Sequence, residues 1–501
     1  MSAVAAVERL TWPAALLLVA IVFGAMATYA PMAALAAAAV VICIIFVTRD
    51  ANNVLLLSVA ILPFVYAPGF ETNLLGIPGM KAGNLVLAAT LAAGVLKGGM
   101  FRSSDRLERF AKYALLIYFI VFSIEFARSL PNLDHFRSLL PLQFEAEPLR
   151  YTLSYYVRSV LFVVPFVFIL THMKDQTDRI LLALSSAMFV LSCVIIIAVM
   201  LEPGVLGDGR NAVEELCDRY LGLHYNTVGT IYLTIGPLLV YLARTRSLFG
   251  IANLALAVLV ILVLQSRSAL VVFALSAIVT LILIRRTAFL VAGAVVVGLV
   301  SAFWLGPSAA ALLSIGIDQG SVYSVDELFT GRVDYIWLPL LREWLADPLL
   351  FLFGAGRYGI LTSPLWVNGQ IIRTMHAHNA FLDFFLDSGA VLTVMLIGAI
   401  IAWLVWSLRV GRRLKSPLFW ALFMCVVAYL TGTLTERQFF PAIDNALLFP
   451  ILALLINVVR SGSILGEPGR ATDHQDVAFG TPARPGDARA MQRRSGPVPG
   501  R

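Results

Sequence analysis

The sequence predicts an all-α polytopic membrane protein, on three observations. Of the 501 residues 59% are hydrophobic and only 13% are charged, with a mean hydropathy of +0.86, whereas a soluble domain carries about 25% charged residues. Apolar runs long enough to cross a ~30 Å hydrocarbon core recur along most of the chain. Basic residues gather in short loops between the runs and fall on one side when the runs are taken alternately.

Read in order, the runs make about 12 to 14 spans. The first are Trp12–Tyr29, Met32–Val47, Val54–Tyr66, Asn84–Leu96 and Tyr113–Ala127. Ser159–Leu170, Leu181–Met200, Thr230–Leu242, Ile251–Leu264 and Ala269–Ile284 follow, then Ala288–Leu305, Val391–Leu408, Leu418–Leu434 and Ala446–Val459. Several are short enough to merge or to form re-entrant hairpins. Ala14–Ala27 has the length of a signal-peptide core and ends in Ala25-Met26-Ala27. Glu8 and Arg9 precede it and another run follows at once, which favours a first transmembrane helix.

Arg49, the loop from Lys97 to Lys112 with Arg102, Arg106 and Arg109, Lys174 and Arg179, Arg244 and Arg246, Arg285 and Arg286, and Arg409–Lys415 all lie on one side, together with both termini. The excess of lysine and arginine makes that side cytoplasmic. The expected organisation is one membrane domain over residues 1–460, with a large folded loop at 306–390 on the opposite side, and a tail at 461–501. The tail is rich in Gly, Pro, Arg, Asp and Ala with almost no large apolar residues, a composition that does not offset ordering entropy, so it reads as disordered.

The same features exclude several classes. The net charge of +7 is spread over topogenic loops, with no aromatic-interleaved basic patch, so no nucleic-acid partner is expected. Cys43, Cys193 and Cys425 lie in apolar runs, where cysteine acts as a small hydrophobe; Cys217 stands alone in a polar loop. Neither a disulfide framework nor a Cys/His metal spacing is present. There is no soluble catalytic domain and no repeat of solenoid period.

The segment between Leu305 and about Val391 breaks the pattern. Val333–Leu345 places Tyr335, Ile336, Leu338, Leu341 and Leu345 at helical spacing, and Asp347-Pro348 and Gly354-Ala355-Gly356 are turn signals. Loops this long are usually functional or disordered. This one is apolar and aromatic enough to fold as a small lid.

Arginine is expected to be scarce on the side away from the cytosol, which makes the arginines there informative. Arg158 opens a span after Tyr155-Tyr156, and Arg267 lies in the short turn Gln265-Ser266-Arg267-Ser268. Arg210, Arg219, Arg332, Arg357 and Arg373 sit in longer loops. Snorkelling, or pairing with Glu214, Asp218 or Asp326, accounts for any single loop arginine. Arg158 and Arg267 are pinned at span ends with little acid nearby, which favours a functional role. A guanidinium fork suits bidentate binding of phosphate, and several together make a diphosphate site that needs no metal.

His376 and His378, two of the six histidines, close the large loop in Met375-His376-Ala377-His378-Asn379. Histidine takes a proton from an attacking hydroxyl near neutral pH when held within hydrogen-bond reach. Asn379 can orient an imidazole; it is also the better N-cap for a helix starting near Ala380, which frees His378 from that role. No third ligand with metal spacing accompanies the pair.

Taken together, these pieces resemble the O-antigen ligase/polymerase superfamily of bacterial envelope glycosyltransferases, over roughly Gly222 to Leu408. The likeness rests on Ser266-Arg267-Ser268-Ala269-Leu270 opening a span, Thr330-Gly331-Arg332 opening the loop, Phe353-Gly354-Ala355-Gly356, and His376-Ala377-His378-Asn379. After His378-Asn379 come the nine residues Ala380–Ser388 and then Gly389, as in the ligases; the last position of their motif is Leu392 here. The resemblance implies a multi-pass protein of the bacterial inner membrane. It also implies transfer of a glycan from an undecaprenyl diphosphate carrier to a sugar hydroxyl, without nucleotide sugar, metal or other cofactor and with inversion. The acceptor is the lipid A core of lipopolysaccharide in ligases and another carrier-linked unit in polymerases. His378 is then the base, and Arg267 and Arg158 the diphosphate contacts, with Arg332 a third. His376, Asn379, Arg210, Arg219, Arg357 and Arg373 are secondary candidates.

Two other readings compete. A polysaccharide-lipid flippase or transporter usually shows internal hydropathy symmetry and matched broken helices, and neither is evident. A peptidoglycan-type polymerase of the same broad architecture is expected to use an outer-loop carboxylate as base, for which Asp326, Glu327 and Asp334 are candidates.

Overall fold

The computed structural model describes residues 51–71, 81–100, 102–103, 105–139, 148–206, 210–244, 248–284, 332–371, 376–434 and 443–465. The expected spans Trp12–Tyr29, Met32–Val47 and Ala288–Leu305, as well as Cys43, Thr330-Gly331, Arg373 and the tail beyond Leu465, lie outside these residues. The chain divides into units Met1–Arg460 and Ser461–Arg501. Of the second, only residues 461–465 are described, and they are helical.

Among the described residues the regular elements are helices, with no β-strand. In chain order they are α1 (Ala51–Ile61), α2 (Ala82–Leu96), α3 (Arg106–Ser129), α4 (Leu133–Leu139), α5 (Pro148–His172), α6 (Thr177–Leu201), α7 (Arg210–Leu221) and α8 (Tyr225–Arg244). Then come α9 (Leu248–Leu264), α10 (Arg267–Leu283), α11 (Leu338–Ala346), α12 (Pro348–Phe353), α13 (Ala380–Leu414), α14 (Pro417–Gly432) and α15 (Ile443–Leu465). Arg106–Leu139, Thr177–Leu201, Tyr225–Arg244 and Ala380–Leu414 are long and apolar enough to cross a membrane, and shorter apolar helices accompany them. Every expected span that falls in the described residues coincides with one of these helices. The protein is an all-α polytopic membrane protein.

Helix starts follow ordinary capping chemistry. Asp105 accepts from Glu108 N at 2.8 Å to open α3. Ser416 accepts from Phe419 N at 3.3 Å to open α14. Asp347 accepts from Leu349 N and Leu350 N ahead of Pro348, which sits in the first turn of α12 where its missing N–H costs nothing.

The membrane core is built around α8, buried along nearly its whole length against α9, α10 and α14. Small residues allow that closeness: a Cβ on Gly229 would lie 2.9 Å from Ala269, and one on Gly236 would lie 2.6 Å from the Phe273 ring. Tyr232 on α8 also shares a 2.8 Å hydrogen bond with Ser192 on α6.

One end of the bundle is fastened by charged side chains. Glu108 is fully buried, with Lys112 at 2.8 Å, Arg460 at 3.2 Å and Lys174 at 3.6 Å. Lys97 reaches Asn52, and Arg179 reaches Asn53 at 2.7 Å. Basic residues read from the sequence as topological markers thus also tie α1, α2, α3 and α6 together at this end, and Arg460 adds α15.

A second, smaller core lies at the opposite end. Leu133 and Phe136 of α4, Ile336, Leu340 and Trp344, Tyr358 and Trp366, and Leu382 and Leu386 of α13 form it. The segment 332–371 is therefore folded over the ends of α3–α4 and the start of α13. Its buried stripe differs from the one the apolar spacing predicts. Ile336, Leu340 and Trp344 face inward, while Tyr335, Leu338 and Leu345 are exposed. The five-residue turns of Val333–Trp337 rotate the face relative to a regular α-helix. Cys217 also departs from expectation: it lies on α7 and is buried, and burial pushes its thiol up to about 12.

At 35 residues α13 is about 52 Å long, well over a ~30 Å hydrocarbon core. It breaks at Gly389, where φ is 80°. Residues 380–388 belong to the smaller core; beyond Gly389 the helix carries the expected span.

Candidate functional site

The two histidines lie in a loop held from both sides. Ala377, between them, is fully buried; its N–H donates to Asp383 Oδ1 at 2.6 Å and its carbonyl accepts from Trp337 Nε1 at 2.7 Å. Asp383 sits in the first turn of α13 and Trp337 in the turn before α11, so the smaller core fixes the loop. The second carboxylate oxygen of Asp383 is buried without a hydrogen-bond partner among the described residues. The His376 and His378 rings stand edge to face at 4.4 Å and 88°. His378 has φ of 54°, a left-handed conformation that costs a non-glycine residue about 1–3 kcal/mol and concentrates at functional sites.

Asn379 is the N-cap of α13. Its Oδ1 accepts from Phe381 N and Leu382 N, each at 3.1 Å, and its Nδ2 donates to Leu434 O at 3.1 Å. Ala380 N donates to Thr433 O at 2.9 Å. Capping thus falls to Asn379, leaving the His378 ring outside it, and the loop is stitched to the end of α14.

Arg267 is the first residue of α10. The preceding Ser266 donates to Asn226 Oδ1 at 2.9 Å, and Asn226 N donates to His224 Nδ1 at 3.2 Å. The axial level of Arg267 follows from packing. Ala269 opposes Gly229 on α8, and Gly432 on α14 opposes Leu233, one turn further along α8. Thr433, which holds the histidine loop, is therefore close in level to the start of α10. Both ends lie on the side away from the buried Glu108 cluster.

The remaining arginines are spread out. Arg158 is on α5, two residues beyond Tyr156, which hydrogen-bonds Ser123 at 2.6 Å and stacks on Phe122 at 5.2 Å. Arg332 is half-buried just before the Val333–Trp337 turn. Arg210 begins α7. Arg219 pairs with Glu202 at 2.8 Å and Glu215 at 2.6 Å. Arg357 is buried, pairs with Asp387 at 3.1 Å and lies over the Tyr358 ring at 4.7 Å. Arg219 and Arg357 are thus engaged by carboxylates of the protein itself.

The structure also reveals polar residues that spacing did not single out. Glu125 on α3 is buried; its Oε1 accepts from Ser388 Oγ and its carbonyl accepts from Arg357 N at 2.9 Å. Arg128 donates to the carbonyls of Phe353 and Gly354. Asp387 Oδ1 accepts from Gly359 N at 2.8 Å. A carboxylate within an apolar run was the available signal for Glu125. At this knuckle Gly354 and Gly389 pack backbone to backbone: a Cβ on Gly354 would strike Asp387, and one on Gly389 would strike Leu352. The small Gly-Ala-Gly element is therefore where the lid meets α3 and the break in α13.

No curated protein matches the chain. The family model described as O-antigen ligase matches residues 252–397. That stretch runs from α9 through Arg267, the lid and the His376–His378 loop to just past the Gly389 break. Over that stretch the chain is similar to the O-antigen ligase family, which supports the resemblance read from the sequence.

Proposed function

We propose that the protein transfers a glycan from an undecaprenyl-diphosphate carrier to a sugar hydroxyl on the periplasmic face of the bacterial inner membrane. The end fastened by Glu108, Lys112 and Arg460 is then cytoplasmic, and the lid with the histidine loop is periplasmic, in line with the excess of basic residues. The observation that carries the reading is the His378 loop: a histidine with left-handed backbone, in a loop fixed through Ala377 and followed by the Asn379 cap of α13, inside the stretch that matches the O-antigen ligase family.

In the reaction, the acceptor hydroxyl gives its proton to His378 as its oxygen bonds to the anomeric carbon. The bond from that carbon to the diphosphate oxygen breaks, and the carrier diphosphate leaves with the electron pair. Attack from the opposite face inverts the centre. Arg267 and Arg158 bind the diphosphate and stabilise the charge on the leaving group, with Arg332 as a third contact. No nucleotide sugar enters, and neither metal nor other cofactor is assigned a role. The acceptor is lipid A core for a ligase or another carrier-linked unit for a polymerase.

The test is transfer by the purified full chain, given lipid-linked glycan and acceptor. Covalent transfer is the expected result. Movement of carrier-linked glycan across vesicles with no new glycosidic bond would support a flippase instead.

A further inference from the structure

A cavity of about 640 Å³ lies between α3, α12 and α13, apart from the histidine loop. Val121 and Ile124 of α3, Leu349 and Phe353 of α12, and Val391 and Leu392 of α13 line it, with Glu125, Arg128 and Ser388 at its polar rim. α3 and α13 are the least buried of the long apolar helices, and Ile124, Val391, Leu349 and Phe353 are all exposed. The groove therefore opens sideways, at the level where α13 leaves the smaller core. In a bilayer its apolar walls lie in one leaflet and Arg128 lies at the interface.

Arg128 supplies charge complementarity. Its guanidinium is steadied by the carbonyl oxygens of Phe353 and Gly354, and among the described residues no carboxylate forms an ion pair with it. Two of its five N–H donors serve those bonds, so an anion at the rim meets a fork already oriented. The groove also faces away from α5. Val121, Ile124, Glu125 and Arg128 share one side of α3, whereas Phe122 and Phe126 on the other side pack on Tyr156, two residues from Arg158.

We propose that the groove holds an acyl chain of the phosphorylated glycolipid that anchors the acceptor, with a lipid phosphate on Arg128. The identity of that lipid as acceptor rests on the transfer reaction proposed above, with α3 separating it from the donor at Arg158. Apolar burial supplies binding, and the single fork reads a phosphate that uncharged lipids lack.

The experiment measures retention of phosphorylated lipid A, phosphatidic acid and undecaprenyl diphosphate by the full chain in detergent, using native mass spectrometry. Arg128→Ala and the groove-filling Leu392→Trp should each reduce lipid A retention about tenfold or more and leave undecaprenyl diphosphate unchanged. Val121→Trp fills the groove from the other wall and replaces Leu392→Trp if that variant does not fold. Wild-type lipid A retention in a folded groove-filled variant would overturn the proposal. Loss of undecaprenyl diphosphate instead would make this a donor groove, and equal retention of phosphatidic acid would make it a general phospholipid site; either overturns the assignment. His378→Ala should retain lipid A fully even though transfer is lost, so failure of the groove and failure of the transfer reaction are read separately.

Discussion

Asp383 Oδ1 accepts the backbone N–H of Ala377 at 2.6 Å, so the residue between the two histidines is fixed by the helix that follows them. Asp383→Ala leaves that buried N–H without its acceptor, at a cost of about 1–3 kcal/mol, and lets the loop drift. The expected outcome is a kcat lower by about tenfold or more with KM for the lipid-linked donor little changed. Asp383→Asn keeps an acceptor oxygen and should recover most of the rate. Equal losses in both variants, or an effect on KM alone, would show that Asp383 does not act by positioning the loop.

The buried pair of Arg357 and Asp387 makes a prediction about stability. Arg357→Ala strands the Asp387 carboxylate in the interior, which costs about 3–5 kcal/mol for a buried pair broken on one side. Thermal unfolding in detergent should show a large fall in midpoint. The double variant Arg357→Leu with Asp387→Leu removes both charges and should recover much of it. If Arg357→Ala kept full stability and lost only donor binding, Arg357 would be a substrate contact.

Gly389 has φ of 80° and sits against Leu352 at the break in α13. Gly389→Ala places a Cβ into the backbone of α12 in a conformation an L-residue rarely adopts. Loss of the lid's packing is expected, read as faster proteolysis within residues 332–371 than in the wild type. Gly398→Ala, with open space around its Cβ position, is the control and should be silent.

Glu343 on α11 gives a pH dependence. Burial raises its carboxyl above the ordinary glutamate range, against a smaller opposing effect from the Ser363 hydrogen bond. A raised folded-state value favours the protonated form. The stabilising contribution is therefore fully present below the unfolded value and is lost as pH rises through the folded value. Glu343→Gln removes the titration, so its midpoint advantage over the wild type should grow from acidic to neutral pH. A constant difference across that range would contradict the assignment.

The spans were legible because a membrane solvent imposes long apolar runs and basic loops, signals that need no tertiary information. The capping role of Asn379 was legible for the same local reason. The buried stripe of the lid was not: Val333–Trp337 winds with a wider turn, and that shift of face has no signature in apolar spacing. The knuckle of Glu125, Arg357, Asp387 and Ser388 escaped because its members are up to 263 residues apart and meet only through tertiary packing. Arg219 and Arg357 belonged to the loop arginines for which snorkelling or pairing with an acid was the expected account, and the fold supplies the partners: Glu202 and Glu215 for Arg219, and Asp387 for Arg357.

The central claim is that His378 deprotonates the acceptor. Its most direct test is single-turnover transfer by purified His378→Ala, His376→Ala, Asp334→Ala, Asp326→Ala and Glu327→Ala, with binding of the lipid-linked donor measured alongside. Loss of a general base is expected to slow the His378→Ala chemical step about 10²–10⁴-fold with donor binding intact, while the three acid variants keep their rate. Full transfer by His378→Ala, together with its abolition in one of the acid variants, would contradict the account.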